Sequence, residues 1–145
     1  MSGYKSSSKR LTTDIGLTLS LRARVDEIDH LRPYIEKVGQ QAGINEVESK
    51  RLRLAVEEAV ANTINYGEAT TIHLNATISD KEICLTIDDD GKPFDPTVAV
   101  TTDLSIPADQ RPPGGMGIIL LRKMTDRLEY QRTSGHNILT LFKKR

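Results

Sequence analysis

Near residue 70 the hydrophobic period of this chain changes, and that change limits its fold more than any other feature. Before it, from about Asp26 to Gln41, the apolar residues Ile28, Leu31, Ile35 and Val38 recur at steps of three and four. That is the stripe of a helix with one face in a core. Gly43 stops this helix, and Pro33 predicts a kink or a late start within it. Asn45 followed by Glu48 is a capping-box-like start for a second helix, which runs to about Tyr66 and stops at Gly67. Beyond residue 70 the period is two. Thr71 to Ile78 and Glu82 to Ile87 alternate, are rich in β-branched residues, and are joined by Ser79-Asp80-Lys81, which predicts a hairpin.

The same period of two marks Leu17, Leu19 and Leu21, placing a strand ahead of the helices. A short apolar helix is predicted at Ile118 to Met124. Two strands follow, at about Arg127 to Arg132 and Asn137 to Phe142, joined through Thr133 to His136. The order strand, helix, helix, strand, strand, loop, helix, strand, strand predicts an α/β sandwich (α+β): a mixed, mainly antiparallel sheet with helices packed on one face. Met1 to Arg10 carries three consecutive serines among basic residues and reads as a flexible tail, leaving 11–145 as a single domain.

Charge and cysteine content then exclude several classes of function. Twenty Lys and Arg balance twenty Asp and Glu, whereas domains that hold bare nucleic acid usually carry a basic excess. No apolar run approaches the roughly 18 residues of a membrane span. The single cysteine, Cys84, permits no internal disulfide and suits a reducing, cytoplasmic compartment. Cys84 with three scattered histidines gives no ligand spacing for structural zinc. Cys84 reads as buried and inert, His73 as a sheet-surface residue, and Tyr66 as packing at a helix end. What remains for chemistry is carboxylates, amides, glycines and a few basic side chains.

Three segments concentrate those groups. On the second helix Leu52, Val56, Ala59, Val60, Thr63 and Ile64 share one broad face, while Glu58, Asn62 and Asn65 fall within roughly 60° of each other on the opposite side. Glu57 lies about 100° from Glu58, so the adjacent acids do not share a role. A carboxylate and an amide four residues apart can meet one ligand together, the acid taking a proton and the amide oxygen facing a metal; a solvated helix face is the plainer reading of the same residues. The second segment, Ile87 to Pro96, ends a strand with Asp88, Asp89 and Asp90, three acids that need solvation, pairing or a ligand. A strand-end acid can accept from an exocyclic amine and so read an adenine, and Gly91 lets the backbone turn and a ligand approach closely; an ordinary Asp-Gly turn is the alternative. The third segment places Gly114, Gly115 and Gly117 at a helix start, where open N–H groups and the helix dipole suit phosphate. It is neither a Walker A loop nor a dinucleotide fingerprint, and a tight entry to a packed helix fits it as well. Between the second and third segments, Asp88 to Pro113 holds five of the six prolines and no clear period, as lids and binding loops often do.

In their order along the chain these segments resemble the GHKL superfamily of ATP-binding domains, the Bergerat fold. Within it the chain looks most like the small anti-sigma-factor serine/threonine kinases of the RsbW-like group, from about Leu17 to Lys144. Glu58-Ala59-Val60-Ala61-Asn62 corresponds to the N box, Asp89-Asp90-Gly91 to the first glycine box and Gly115-Met116-Gly117 to the second. The resemblance implies a Bergerat fold and a set of roles. Asn62 holds Mg²⁺ between the ATP phosphates, Asp89 accepts from the adenine amine, and Gly91 lies against the base. Gly114, Gly115, Met116 and Gly117 wrap the phosphates beneath a lid from Pro96 to Pro113. Glu58 is the general base; sensor histidine kinases of the superfamily usually carry Asn there, so the acid favours serine kinase or ATPase chemistry.

The same resemblance implies a bacterial, cytoplasmic regulator of transcription. It binds ATP and Mg²⁺, a sigma factor and a small anti-sigma-factor antagonist protein that it phosphorylates, and it forms a homodimer. Neither nucleic acid nor membrane is a direct partner. An ATP-binding regulatory interaction module without phosphotransfer is the alternative with the same motifs. Departures from the pattern fall at Asn137, where a late-strand Thr is common, and at Pro93 and Phe94, where a second glycine is common. Arg111 and Arg122 are the candidate partners of the γ-phosphate.

Overall fold

The computed structural model describes residues 17–97, 105, 107 and 115–145. The tail, most of the expected lid, Arg111 and Gly114 lie outside the described residues. Strand β1 (Leu17–Arg22) leads through a 3-10 turn (Val25–His30) into helices α1 (Leu31–Ala42) and α2 (Glu46–Tyr66). Then come strands β2 (Thr71–Ile78) and β3 (Glu82–Asp89), helix α3 (Gly115–Met124) and strands β4 (Arg127–Thr133) and β5 (His136–Lys144).

These strands form one sheet in the order β1-β2-β3-β5-β4, and each neighbouring pair is antiparallel. The mainly antiparallel sheet expected from the sequence is the one found among the described residues. β2–β3 and β4–β5 are hairpins, while longer segments that reverse the chain join β1 to β2 and β3 to the β4–β5 hairpin. One sheet face packs under the helices. Ile72, Leu74, Ile83, Leu85 and Leu141 from the strands meet Ile35, Val38, Leu52, Val56 and Val60 from α1 and α2, all essentially sealed from water. The other face carries Ser20, His73, Thr86 and Asp88, with Ser20 Oγ and His73 Nδ1 hydrogen-bonded at 2.8 Å. Cys84 is half-buried on that face, and burial pushes its thiol up.

Local signals act where the sequence puts them. The Asn45 side chain accepts from the Glu48 N–H at 2.8 Å and caps α2, and Gly43 ends α1 in the left-handed conformation at φ 72°. Pro33 neither kinks nor delays α1. It is the third residue of the helix, in the first turn, where its missing N–H has no intrahelical acceptor to lose. Helix α3 begins at Gly115, three residues before the apolar run, because glycines are tolerated in a first turn whose donors are open anyway. An ion pair between Lys143 and Glu48 ties the end of β5 to the start of α2, and that hydrogen bond holds the Glu48 carboxyl below the usual range. No helix among the described residues is long and apolar enough to cross a membrane.

Candidate active site

The C-terminal half of α2, the ends of β3 and β5, and the start of the segment after β3 enclose a cavity of about 100 Å³. One water needs only ~10–15 Å³ by the same kind of measure, so this hollow is ligand-sized rather than a packing defect. Asn62 and Asp89 are both on its wall, with Ile87, Leu121 and Leu139 supplying apolar surface. A solvated helix face therefore does not describe Asn62; it stands where the buried stripe of α2 meets the cavity. Tyr66 also lines the cavity and is 48% exposed at its rim, which corrects the expectation that it only packs at the helix end. Glu58 is half-buried one turn before Asn62 and is not among the lining residues. Asn65 is exposed, and Glu57 pairs with Arg53.

Each of the three successive aspartates has its own partners. Asp88 Oδ1 meets His136 Nδ1 at 2.6 Å on the open face of the sheet. Asp89 points the other way and is 6% exposed; its Oδ1 accepts from the Gly91 N–H at 2.8 Å and from Asn137 Nδ2 at 3.0 Å. Asp90 accepts from the Thr70 N–H at 2.7 Å, the Thr71 N–H at 3.1 Å and the Thr70 hydroxyl. The Thr70 hydroxyl first, then the two backbone donors, hold the Asp90 carboxyl well below the usual range.

Gly91 is required by a neighbour inside the chain. A Cβ there would run into the Gly67 carbonyl oxygen, the same oxygen that accepts from the Lys92 N–H at 2.8 Å. The turn after α2 and the turn after β3 are thus pressed together beside the cavity. Arg132 donates to the Gly91 carbonyl at 2.7 Å from β4. Arg122, a candidate phosphate partner, donates instead to the Pro96 and Thr97 carbonyls and ties α3 to the beginning of the expected lid.

A family model described as a histidine kinase-like ATPase domain matches residues 21–143. The chain belongs to that family. Its Bergerat-type sheet is similar to a crystal structure of the RsbU and RsbW domains of Rv1364c from Mycobacterium tuberculosis. The TM-score is 0.61 at 15% sequence identity, covering 88% of this chain and 33% of that one; the likeness is one of fold. By sequence the chain is 37% identical over 94 residues to the serine/threonine-protein kinase BtrW of Bordetella bronchiseptica. The aligned stretch is 62% of this chain and 66% of that protein, just under two thirds of it.

In this ATPase domain the residues brought to one cavity are Asn62 and Asp89. Gly91 lies beside it, Glu58 a turn away, and Gly115, Met116 and Gly117 form the first turn of α3, the helix whose Leu121 reaches the cavity wall. Residues that sequence reasoning passed over are the supports: Tyr130, Arg132 and Thr70. A signal for the pairing of Asp89 with Asn137 was present. Both are polar residues on the inward phase of otherwise apolar strands, after Ile83, Leu85 and Ile87 in β3 and before Leu139 and Leu141 in β5, and they face each other in register.

Proposed function

We propose that this chain is a Mg-ATP-dependent serine/threonine protein kinase that acts as an anti-sigma factor and phosphorylates a small antagonist protein in a partner-switching circuit. The observation that carries the reading is the shared cavity of Asn62 and Asp89. A buried carboxylate with one oxygen uncommitted suits the amine of adenine, and an amide on the same wall suits a phosphate-bound cation. The N-terminus of α3 contributes open N–H groups to a triphosphate. The serine/threonine-protein kinase named among its relatives supports the choice of chemistry.

Asn62 would hold Mg²⁺, which neutralises charge on the phosphate oxygens when bound. Glu58 has no hydrogen bond or ion pair among the described residues, so none of them competes for its proton-accepting role. It takes the proton of a partner serine or threonine hydroxyl as that oxygen bonds to the γ-phosphorus; the bond to the β–γ bridging oxygen breaks and ADP leaves. Reaction depends on positioning more than on covalent chemistry, which fits a site with one base and one amide.

The test is transfer of label from γ-labelled ATP, with Mg²⁺, to candidate antagonist proteins. Wild type is expected to label one of them on Ser or Thr. Glu58→Gln is expected to keep ATP affinity and lose at least ~100-fold in transfer, the lower end of what a general base contributes. Undiminished transfer by Glu58→Gln removes Glu58 from the mechanism. ATP binding without any transfer by wild type leaves the regulatory-module reading in its place.

A further inference from the structure

Asn137 is a buried amide with every hydrogen-bonding position engaged. Its Nδ2 donates to Asp89 Oδ1 at 3.0 Å and to the Lys92 carbonyl at 2.8 Å. Its Oδ1 accepts from the Tyr130 hydroxyl at 2.6 Å and from the Phe94 N–H at 3.3 Å. Two of those partners are a backbone carbonyl and a backbone N–H, whose polarity is fixed. The amide therefore has one orientation, nitrogen towards Asp89.

That orientation has a consequence for the carboxylate. Asp89 Oδ1 receives two donors, from Asn137 and from Gly91, while Oδ2 receives none among the described residues. Asp89 is thereby pinned with an acceptor left over on the cavity wall. An exocyclic amine on a bound ring satisfies that acceptor; an oxo group at the same position meets it acceptor to acceptor, which leaves buried polar atoms unpaired.

We propose that Asn137, braced by Tyr130, is the positioning residue that sets base selectivity at this site, holding Asp89 as an acceptor and so favouring an aminopurine over an oxopurine. The inference rests on the nucleotide reading above and adds to it a determinant that acts through Asp89. Asn137 also binds the Lys92 carbonyl and the Phe94 N–H, so it fixes the segment that continues the cavity wall beyond Asp89. Selectivity and wall geometry thus have a common anchor.

The experiment is calorimetric titration of the full chain with ATP and with inosine triphosphate, each with Mg²⁺. It compares wild type, Asn137→Asp and Tyr130→Phe, with thermal unfolding as a check of folding. Wild type is expected to prefer ATP by roughly 10- to 100-fold, the range of an unpaired buried polar group. Asn137→Asp keeps the shape but sets a second carboxyl against Asp89. Asp89 then loses the donor that orients it and is no longer held as an acceptor, and the ATP preference falls about tenfold. Tyr130→Phe removes only a hydroxyl from the edge of the network and lowers the preference by about threefold. A structural role alone would weaken both nucleotides in parallel. Folded variants that keep the wild-type ratio of ATP to inosine triphosphate affinity overturn the proposal, as does a wild type that binds both equally; should Asn137→Asp not fold, Tyr130→Phe decides alone. A wild type that binds neither nucleotide overturns the nucleotide reading itself, and this inference with it.

Discussion

Gly91 occupies its position for a reason that depends on one contact inside the chain. Its Cα lies so near the Gly67 carbonyl that a methyl group has no room, and Asp89 Oδ1 crowds the same spot. Gly91→Ala must therefore push the turn after β3 away from the turn after α2. Overpacking of this kind typically costs about 1–3 kcal/mol, and urea unfolding should show a lower midpoint with an unchanged slope. The displacement also moves the N–H that Asp89 accepts from, so nucleotide affinity should fall in the same variant. A midpoint equal to wild type would mean that the two turns are not in contact. Sequence alone marked Gly91 as a place of close approach. It named a ligand as what approaches and missed Gly67, because that neighbour lies outside the β3 turn and only the fold brings them together.

The elements themselves were legible to different degrees. The α2 start could be placed to the residue because Asn45 and Glu48 form a purely local device. Asn45→Ala should cost about 1 kcal/mol, the usual value of a lost N-cap. Circular dichroism during urea unfolding would register it, while nucleotide binding at the distant end of α2 stays as it was. The β2 strand and its turn were equally clear, since strict alternation specifies a face. The α3 start was placed late, for hydrophobic periodicity says nothing about glycines that join a helix ahead of its apolar run. Sheet pairing was the least legible feature. Alternation tells which face of a strand is buried but not the direction of its neighbour, so the expectation went no further than a mixed, mainly antiparallel sheet; every pair among the described residues is antiparallel. The supporting residues were hidden for the same reason: Tyr130 and Arg132 matter only because β4 lies beside β5.

For the molecule as a whole, Asp90 links the site end of the sheet to acid stability. Its carboxyl is held below the ordinary value by donors from Thr70 and Thr71. A group with a depressed folded-state pKa contributes stability that is fully present above its unfolded value, near 3.9 for Asp, and that is lost as pH falls towards the folded one. Wild type should therefore lose stability on acidification from about pH 5 downward, whereas Asp90→Asn should start lower and decline less steeply over the same range. Urea unfolding at a series of pH values gives both slopes, and parallel curves would show that Asp90 carries no share.

The sheet order has a further consequence, for the time course of folding. The β2–β3 and β4–β5 hairpins close short loops and can form early. The β1–β2 and β3–β5 ladders cannot; one must wait for two helices to be spanned, the other for the whole segment between Asp89 and His136. Both distant ladders end on the same side of the sheet, at Thr71 and at Asn137, next to Asp90 and Asp89. The slow, non-local step of folding and the assembly of the Asp89 end of the cavity are on this topology a single event, and a half-made chain has hairpins long before it has that cavity.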